Sequence, residues 1–441
     1  MASDYSNDYR HPADSNLKSV HKAMEYNNLG QPILRTLASA GGYNETGNTN
    51  AGVDAFGRQR TSQPFTLFDN SFRYSDDGLN WDSSTSGTTQ QNHLPSEASI
   101  SMFVDTGSGD SIIRETKRVF QYQPGKSLLI MNTFVMEPAK TNLRQRVGYF
   151  GADNGIFIQL NDDTVSIVKR SSITSGVVDT EINQSSWNVD PMDGTGPSGV
   201  TLDITKAQIF WTDMEWLGVG SVRTGFVING QFILCHVFHH ANIIDSVYMT
   251  TASLPIRYEI TNTGATASTS TMKQICSTVI SEGGYSPSTI PRSISNPVTG
   301  VELSDVAVKP LVLLRLRTDK PDAIVVPRYV DMYGLQNAAF KWRLVQNPTI
   351  STGSWVSAGP ESPVEYNITA TDTINTGTNL LEGTFVGGSH GGATRVDLQE
   401  YNHGFQLRRQ LDGTKEIFAL CAIATTNNDD AVGTVAWQEF N

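Results

Sequence analysis

Cysteine is nearly missing from this chain, with Cys235, Cys276 and Cys421 the three in 441 residues. An odd count at such wide spacing is neither a disulfide framework nor a zinc site, and it fits synthesis in a reducing cytoplasm. Long apolar runs are missing too: nothing approaches the ~18 apolar residues of a spanning helix, so no membrane insertion is expected. The opening residues, MASDYSNDYRHPADSN, have no apolar centre and do not read as a signal peptide. Charge is sparse, at 17% of residues, with a formal net charge of −12. That balance argues against nucleic acid as a partner, since sequence-independent binding rests on clustered Lys and Arg. No Gly-x-Ser-x-Gly elbow, phosphate loop or Cys-x-x-Cys pair occurs, and no cofactor is implied.

With so little charge, the polar surface must come from Ser, Thr, Asn, Gln and Gly, a composition suited to many short strands and turns. The most telling stretch is 207–240, AQIFWTDMEWLGVGSVRTGFVINGQFILCHVFHH. Gly218-Val219-Gly220 and Asn229-Gly230 divide it into three strands, and Asn-Gly is a strong hairpin signal because both turn residues must reach positive φ. Its last two strands are apolar on both faces, which predicts burial inside a layered structure. Further strands are expected at 98–105, 112–122, 127–137, 144–150, 155–161, 164–170, 248–260 and 272–281, with 76–98 a polar loop. Short turns between them predict an antiparallel sandwich.

Residues 286–304 hold three prolines and no sustained period, marking a boundary. Beyond it, strands are expected at 306–316, 323–333, 339–344, 365–368, 384–386, 405–407 and 416–424. Pro310 and Pro327 within them predict edge positions or bulges. The expected organisation is an N-terminal arm over 1–52, a β-sandwich domain over 53–290 and a C-terminal β domain over 291–441. The fold class is all-β: an antiparallel jelly-roll or concanavalin-like sandwich, then a second, smaller β domain, with an extended N-terminal arm.

Several groups could carry chemistry. Asp213 and Glu215 lie two apart on one strand and so share a face. Paired carboxylates on a sandwich serve glycoside hydrolysis, but the jelly-roll hydrolases add a third acid along the same strand, and here Leu217 and Gly218 stand in its place. A strand with one wet face is the plainer reading. His236, His239 and His240 put His236 and His240 on one face, roughly 13 Å apart along the strand, too far for one metal ion. Asp162-Asp163 and Asp190/Asp193 sit in Asn- and Gly-containing loops that can offer oxygens to calcium, against simple turn chemistry. Seven tryptophans could stack sugars or fill cores. No catalytic, cofactor or metal residue is assigned from these patterns, and the chain is expected not to be an enzyme.

At 53–69, VDAFGRQRTSQPFTLFD, the chain resembles a group of virion structural proteins of tailed bacteriophages, prominent among cyanophages, in which an Asp-Ala-Phe-Gly-Arg motif precedes a Pro-Phe-Thr-Leu-Phe run. The resemblance continues through GYFGADNGIFIQL (148–160), MEWLGVGSVRTGFVINGQFILCHVFHHAN (214–242), YMTTASLPIRYEI (248–260), ICSTVISEGGY (275–285) and LVQNPTI (344–350). It implies a place in a virion assembled in the host cytoplasm and carries over no site residues. The expectation is a structural component of the tail, baseplate or fibre-attachment apparatus. It would act as a homo-oligomer, trimer or hexamer, through contacts with other virion proteins. A capsid decoration protein, or a lectin-like adsorption protein with a host-surface glycan as partner, is the alternative.

Overall fold

The computed structural model describes residues 63–336, 339–387, 394–398 and 405–440, together with the backbone of two short strands, β1 (Met24–Tyr26) and β2 (Pro32–Leu34). Those two pair antiparallel, Glu25 opposite Ile33. The rest of the expected arm lies outside the described residues.

Two sandwiches follow one another. The seven-stranded sheet of the first runs in the order β12 (Gly176–Asn183), β11 (Thr164–Thr174), β10 (Gly155–Asn161), β9 (Leu143–Phe150), β16 (Ile256–Asn262), β7 (Ser111–Thr116), β4 (Trp81–Ser86). The facing eight-stranded sheet runs β15 (Gln231–Phe238), β14 (Val222–Ile228), β13 (Gln208–Met214), β8 (Leu128–Val135), β17 (Ser270–Ser281), β6 (Ser99–Val104), β5 (Thr89–Leu94). β3 (Phe65–Ser71) pairs with the second half of β17. All these pairings are antiparallel. Alternation along each strand sends one set of side chains inward. Val147 and Tyr149 of β9 and Ile156 and Ile158 of β10 meet Phe134, Phe210, Phe226 and Met272 of the other sheet in one core. Two of the deepest phenols are satisfied: the single Tyr149 Oη proton is shared between the backbone carbonyls of Phe120 and Ala252, both at 3.0 Å, and Tyr258 Oη lies 2.9 Å from Ser277 Oγ.

The second sandwich has a five-stranded sheet in which β28 (Asp429–Phe440) lies between β21 (Ile324–Gly334) and β18 (Thr289–Ser295). Its six-stranded partner is centred on β20 (Lys309–Leu316), β27 (Phe418–Ala424) and β22 (Ala339–Gln346). Leu314, Val330, Leu344, Leu420 and Trp437 fill the space between them. The two sandwiches meet through Lys117 and Glu416 at 3.0 Å, the Leu411 N–H on the Asp82 carboxylate at 2.7 Å, and a small cluster of Val119, Ile324 and Val326. The chain is thus all-β: an antiparallel sandwich followed by a smaller one.

The 207–240 reading holds in outline. β13, β14 and β15 follow in order, and Asn229 (φ 52°) and Gly230 (φ 76°) both occupy the left-handed region the turn requires. Its burial differs from expectation, because β15 is the last strand of its sheet and Phe232 is 56% exposed. Pro310 and Pro327 each fall where the pairing register slips, so both sit at bulges. The stretch 76–98 is not a loop. It holds β4 and β5, whose polar residues suit edge strands of two different sheets. The expected strands at 112–122 and 248–260 are half as long, ending at Thr116 and beginning at Ile256. Residues 405–407 form no strand, and β12 and β28 were not anticipated.

Candidate functional site

Asp213 lies on the outward face of β13, directly opposite Arg223 of β14. Arg223 Nη2 and Ser127 Oγ both donate to its carboxylate, which is 6% exposed. Glu215 lies beyond the end of β13 and is exposed, its N–H donating to Ser221 O at 3.1 Å. These two acids, two residues apart in sequence, therefore stand in unlike settings. The carboxylate that senses Asp213 is Glu282, pushed above its usual range first by its own burial and then by the charge of Asp213.

The histidines separate as the alternation predicts. His236, Phe238 and His240 share a face and form a ladder of rings, with His236 and Phe238 centroids 4.6 Å apart, and His240 stacks on Tyr248 at 3.9 Å. His236 Nδ1 accepts from the Asn188 N–H, and His240 Nδ1 donates to Gly220 O at 2.7 Å. His240 Nε2 is then the acceptor for Lys169 Nζ at 3.1 Å. Burial pushes both imidazoles down to about 4. His239 points to solvent beside Ser221. Among the described residues no three His, Cys, Asp or Glu converge as a metal would require.

The carboxylates of the acidic loops are taken up by nearby N–H and hydroxyl donors. Asp162 has φ 54° and accepts from the Asn142 N–H, while Asp163 accepts from Thr164 Oγ1. Asp190 accepts from the N–H groups of Met192 and Ser198, both at 2.8 Å, and Asp193 from the N–H and the hydroxyl of Thr195. Trp81, Trp187, Trp211, Trp342 and Trp437 are buried, and Trp216 and Trp355 half-buried, Trp355 beneath the Arg315 guanidinium at 3.9 Å. All but Trp211, which lies on the outward face of β13, therefore pack in or against the cores.

The open site lies elsewhere on the Asp213 face, the outward side of the eight-stranded sheet. Trp211 stands opposite Met131, Met131 opposite Thr278, and Thr278 opposite Asp69. In the next row Ile209 faces Thr133, Thr133 faces Cys276, and Cys276 faces Ser71. Between these rows lies a shallow cavity of about 390 Å³. One wall, from β8 and β13, is apolar at Met131 and Ile209 with Thr133 beside them; the other, from β3, carries Asp69, Asn70 and Ser71. Phe232 extends the apolar side, ring edge against Trp211 at 5.6 Å. No local motif announces this groove, because its residues come from four strands between 69 and 278 and only register unites them.

No family model matches the chain, and no curated protein matches it. Among solved structures, the chain is similar to a Bacillus licheniformis β-glucanase (11% identity, TM-score 0.33, covering 50% of this chain and 99% of that one). It is also similar to a carbohydrate esterase from Shiga toxin-encoding bacteriophage phi24B (12%, 0.30, 50% and 99%). A third is a legume lectin-like domain from Entamoeba histolytica (12%, 0.28, 48% and 96%). At these identities and scores the likeness is one of fold class alone. It corrects one expectation: hydrolases stand among the structures this chain is similar to, so the expectation that it is not an enzyme is withdrawn.

Proposed function

We propose that this chain is a structural component of a tailed-phage virion, in the tail, baseplate or fibre-attachment apparatus, assembled in the host cytoplasm as a homo-oligomer. The observation that carries the assembly role is the flank where both sheets of the first sandwich end. There β12 and β15 are the terminal strands. The segment between them is tied to β15 by the Val189 and Asp190 N–H groups on Cys235 O at 3.0 and 3.1 Å and by the Asn188 amide on Val237. Around this flank Ile173, Val177, Val178 and Val189 all reach solvent. Edge strands with exposed apolar side chains are ready-made surfaces for another chain, and oligomers of identical chains bury such a surface symmetrically. The motif-level resemblance at 53–69 and 214–242 supports the virion.

A reconstruction of the particle tests the location: copies of this chain around the tail axis support it, and copies spread over the shell overturn it. In solution, Val178→Glu should shift the purified protein to smaller species by light scattering, with an unchanged β-sheet circular dichroism spectrum. An oligomer that ignores this charge assembles through another surface.

The second reading is contact with a carbohydrate, favoured by the groove on the outward face of the eight-stranded sheet. Ligand sites are concave and mostly apolar, with a few convergent polar groups, and this groove has that make-up. Among the described residues no helix is long and apolar enough to cross a membrane.

A further inference from the structure

We infer that the groove over β13, β8, β17 and β3 binds an uncharged oligosaccharide, laid across the strands from Phe232 towards Asp69; this rests on the carbohydrate-contact reading above. Its two walls divide the work a sugar needs. Ile209, Met131 and the half-exposed Phe232 offer apolar surface for the C–H face of a pyranose ring. Ser71, Thr133 and Thr278 offer hydroxyls, and Asp69 a carboxylate, at the ring's edge.

Charge decides the class. No Lys or Arg lines the cavity and Asp69 is its one ionisable carboxylate. Sialylated, uronic-acid or sulfated glycans would meet no cation in the cavity and would be repelled by Asp69, while Arg223 on the same face is already paired with Asp213. Length follows from the sheet. Phe232 pairs with Val227 on β14, and the face runs from there through β13, β8 and β17 to β3. Six strands at the usual ~4.8 Å spacing span ~24 Å, an extended chain rather than one sugar. A dry contact with a second copy of this chain fits less well, because it would desolvate Asp69 and Ser71 without partners.

The test uses the full chain and a panel of neutral gluco- and galacto-oligosaccharides, with sialylated, uronic-acid and sulfated ones alongside, read by calorimetry and ligand-observed NMR. The expected result is binding of neutral members alone, weakened at least tenfold by Asp69→Ala and by Phe232→Ala, both exposed positions, and unchanged by Glu215→Gln. Bound oligosaccharide should also slow alkylation of Cys276, which lines the groove, while Cys235 and Cys421 stay buried and silent. Preference for charged glycans, binding that survives both variants, or no binding by a folded chain overturns the site. So does an oligomer that Phe232→Ala dissociates, which makes the face a subunit contact. The virion reading is scored separately: particles carrying Asp69→Ala should keep the protein, and glycan binding by a chain absent from particles would sink that reading and leave this one.

Discussion

Lys169 Nζ sits 3.1 Å from Nε2 of His240, joining β11 of one sheet to the residues just past β15 of the other. The ammonium also lies over the rings of Phe238 and Tyr248, at 5.5 and 5.9 Å. Burial is the main cause that keeps both His236 and His240 neutral, and at His240 the nearby Lys169 charge adds to it.

Acid should therefore loosen the first sandwich in a defined window. Both histidines are depressed from 6.5 to about 4. Above pH ~6.5 the folded and unfolded chains carry the same neutral rings. As pH falls from ~6.5 towards ~4 the unfolded chain takes up protons that the folded one refuses, so stability is lost there and levels off below. In denaturant titrations over this range, His240→Gln should remove one proton's dependence, ~1.4 kcal/mol per pH unit. An unaltered slope would show that His240 titrates normally.

Asp213 and Glu215 should respond differently to mutation despite standing two residues apart. Asp213→Ala strips a buried carboxylate from Arg223 and Ser127. Since Arg223 is half in water, the cost should be about 1–2 kcal/mol. Glu215→Ala, at an exposed site, should stay within ~0.5 kcal/mol. Urea unfolding of the two variants side by side decides the matter, and equal losses would contradict the unequal settings.

Gly225 should tolerate no side chain. It sits where β14 and β15 slip register, and a Cβ there would lie 1.9 Å from Ile233 O. Gly225→Ala should cost ~3 kcal/mol or more through backbone displacement. At the exposed turn, Gly230→Ala meets open space and bears only its left-handed φ, ~1 kcal/mol. Thermal melts should rank the two in that order, and the reverse order would place the strain in the turn.

Much of the fold was legible because its signals are local. Asn229-Gly230 is a turn in any context that allows positive φ, and Pro310 and Pro327 cannot donate to a ladder, so bulges accommodate them. Where the signal is diluted, the reading failed. β4 and β5 are polar because they are edges, and edge status belongs to the sheet. β28 opens with Asp429-Asp430 and contains Gly433, turn chemistry that lost to its place between two partner strands.

The sequence by itself determined the class of structure, since strand period and turn chemistry act over a few residues, and it determined that His236 and His240 share a face. Tertiary structure alone decided what each polar group does. Asp213 became an ion pair because β14 brought Arg223 opposite it. Lys169 met His240 across the sandwich. Asp69, Met131, Ile209 and Thr278 became one groove because antiparallel register aligned four distant strands. Pairing partners are non-local, and a strand's own residues specify which face is wet without specifying what stands beside it.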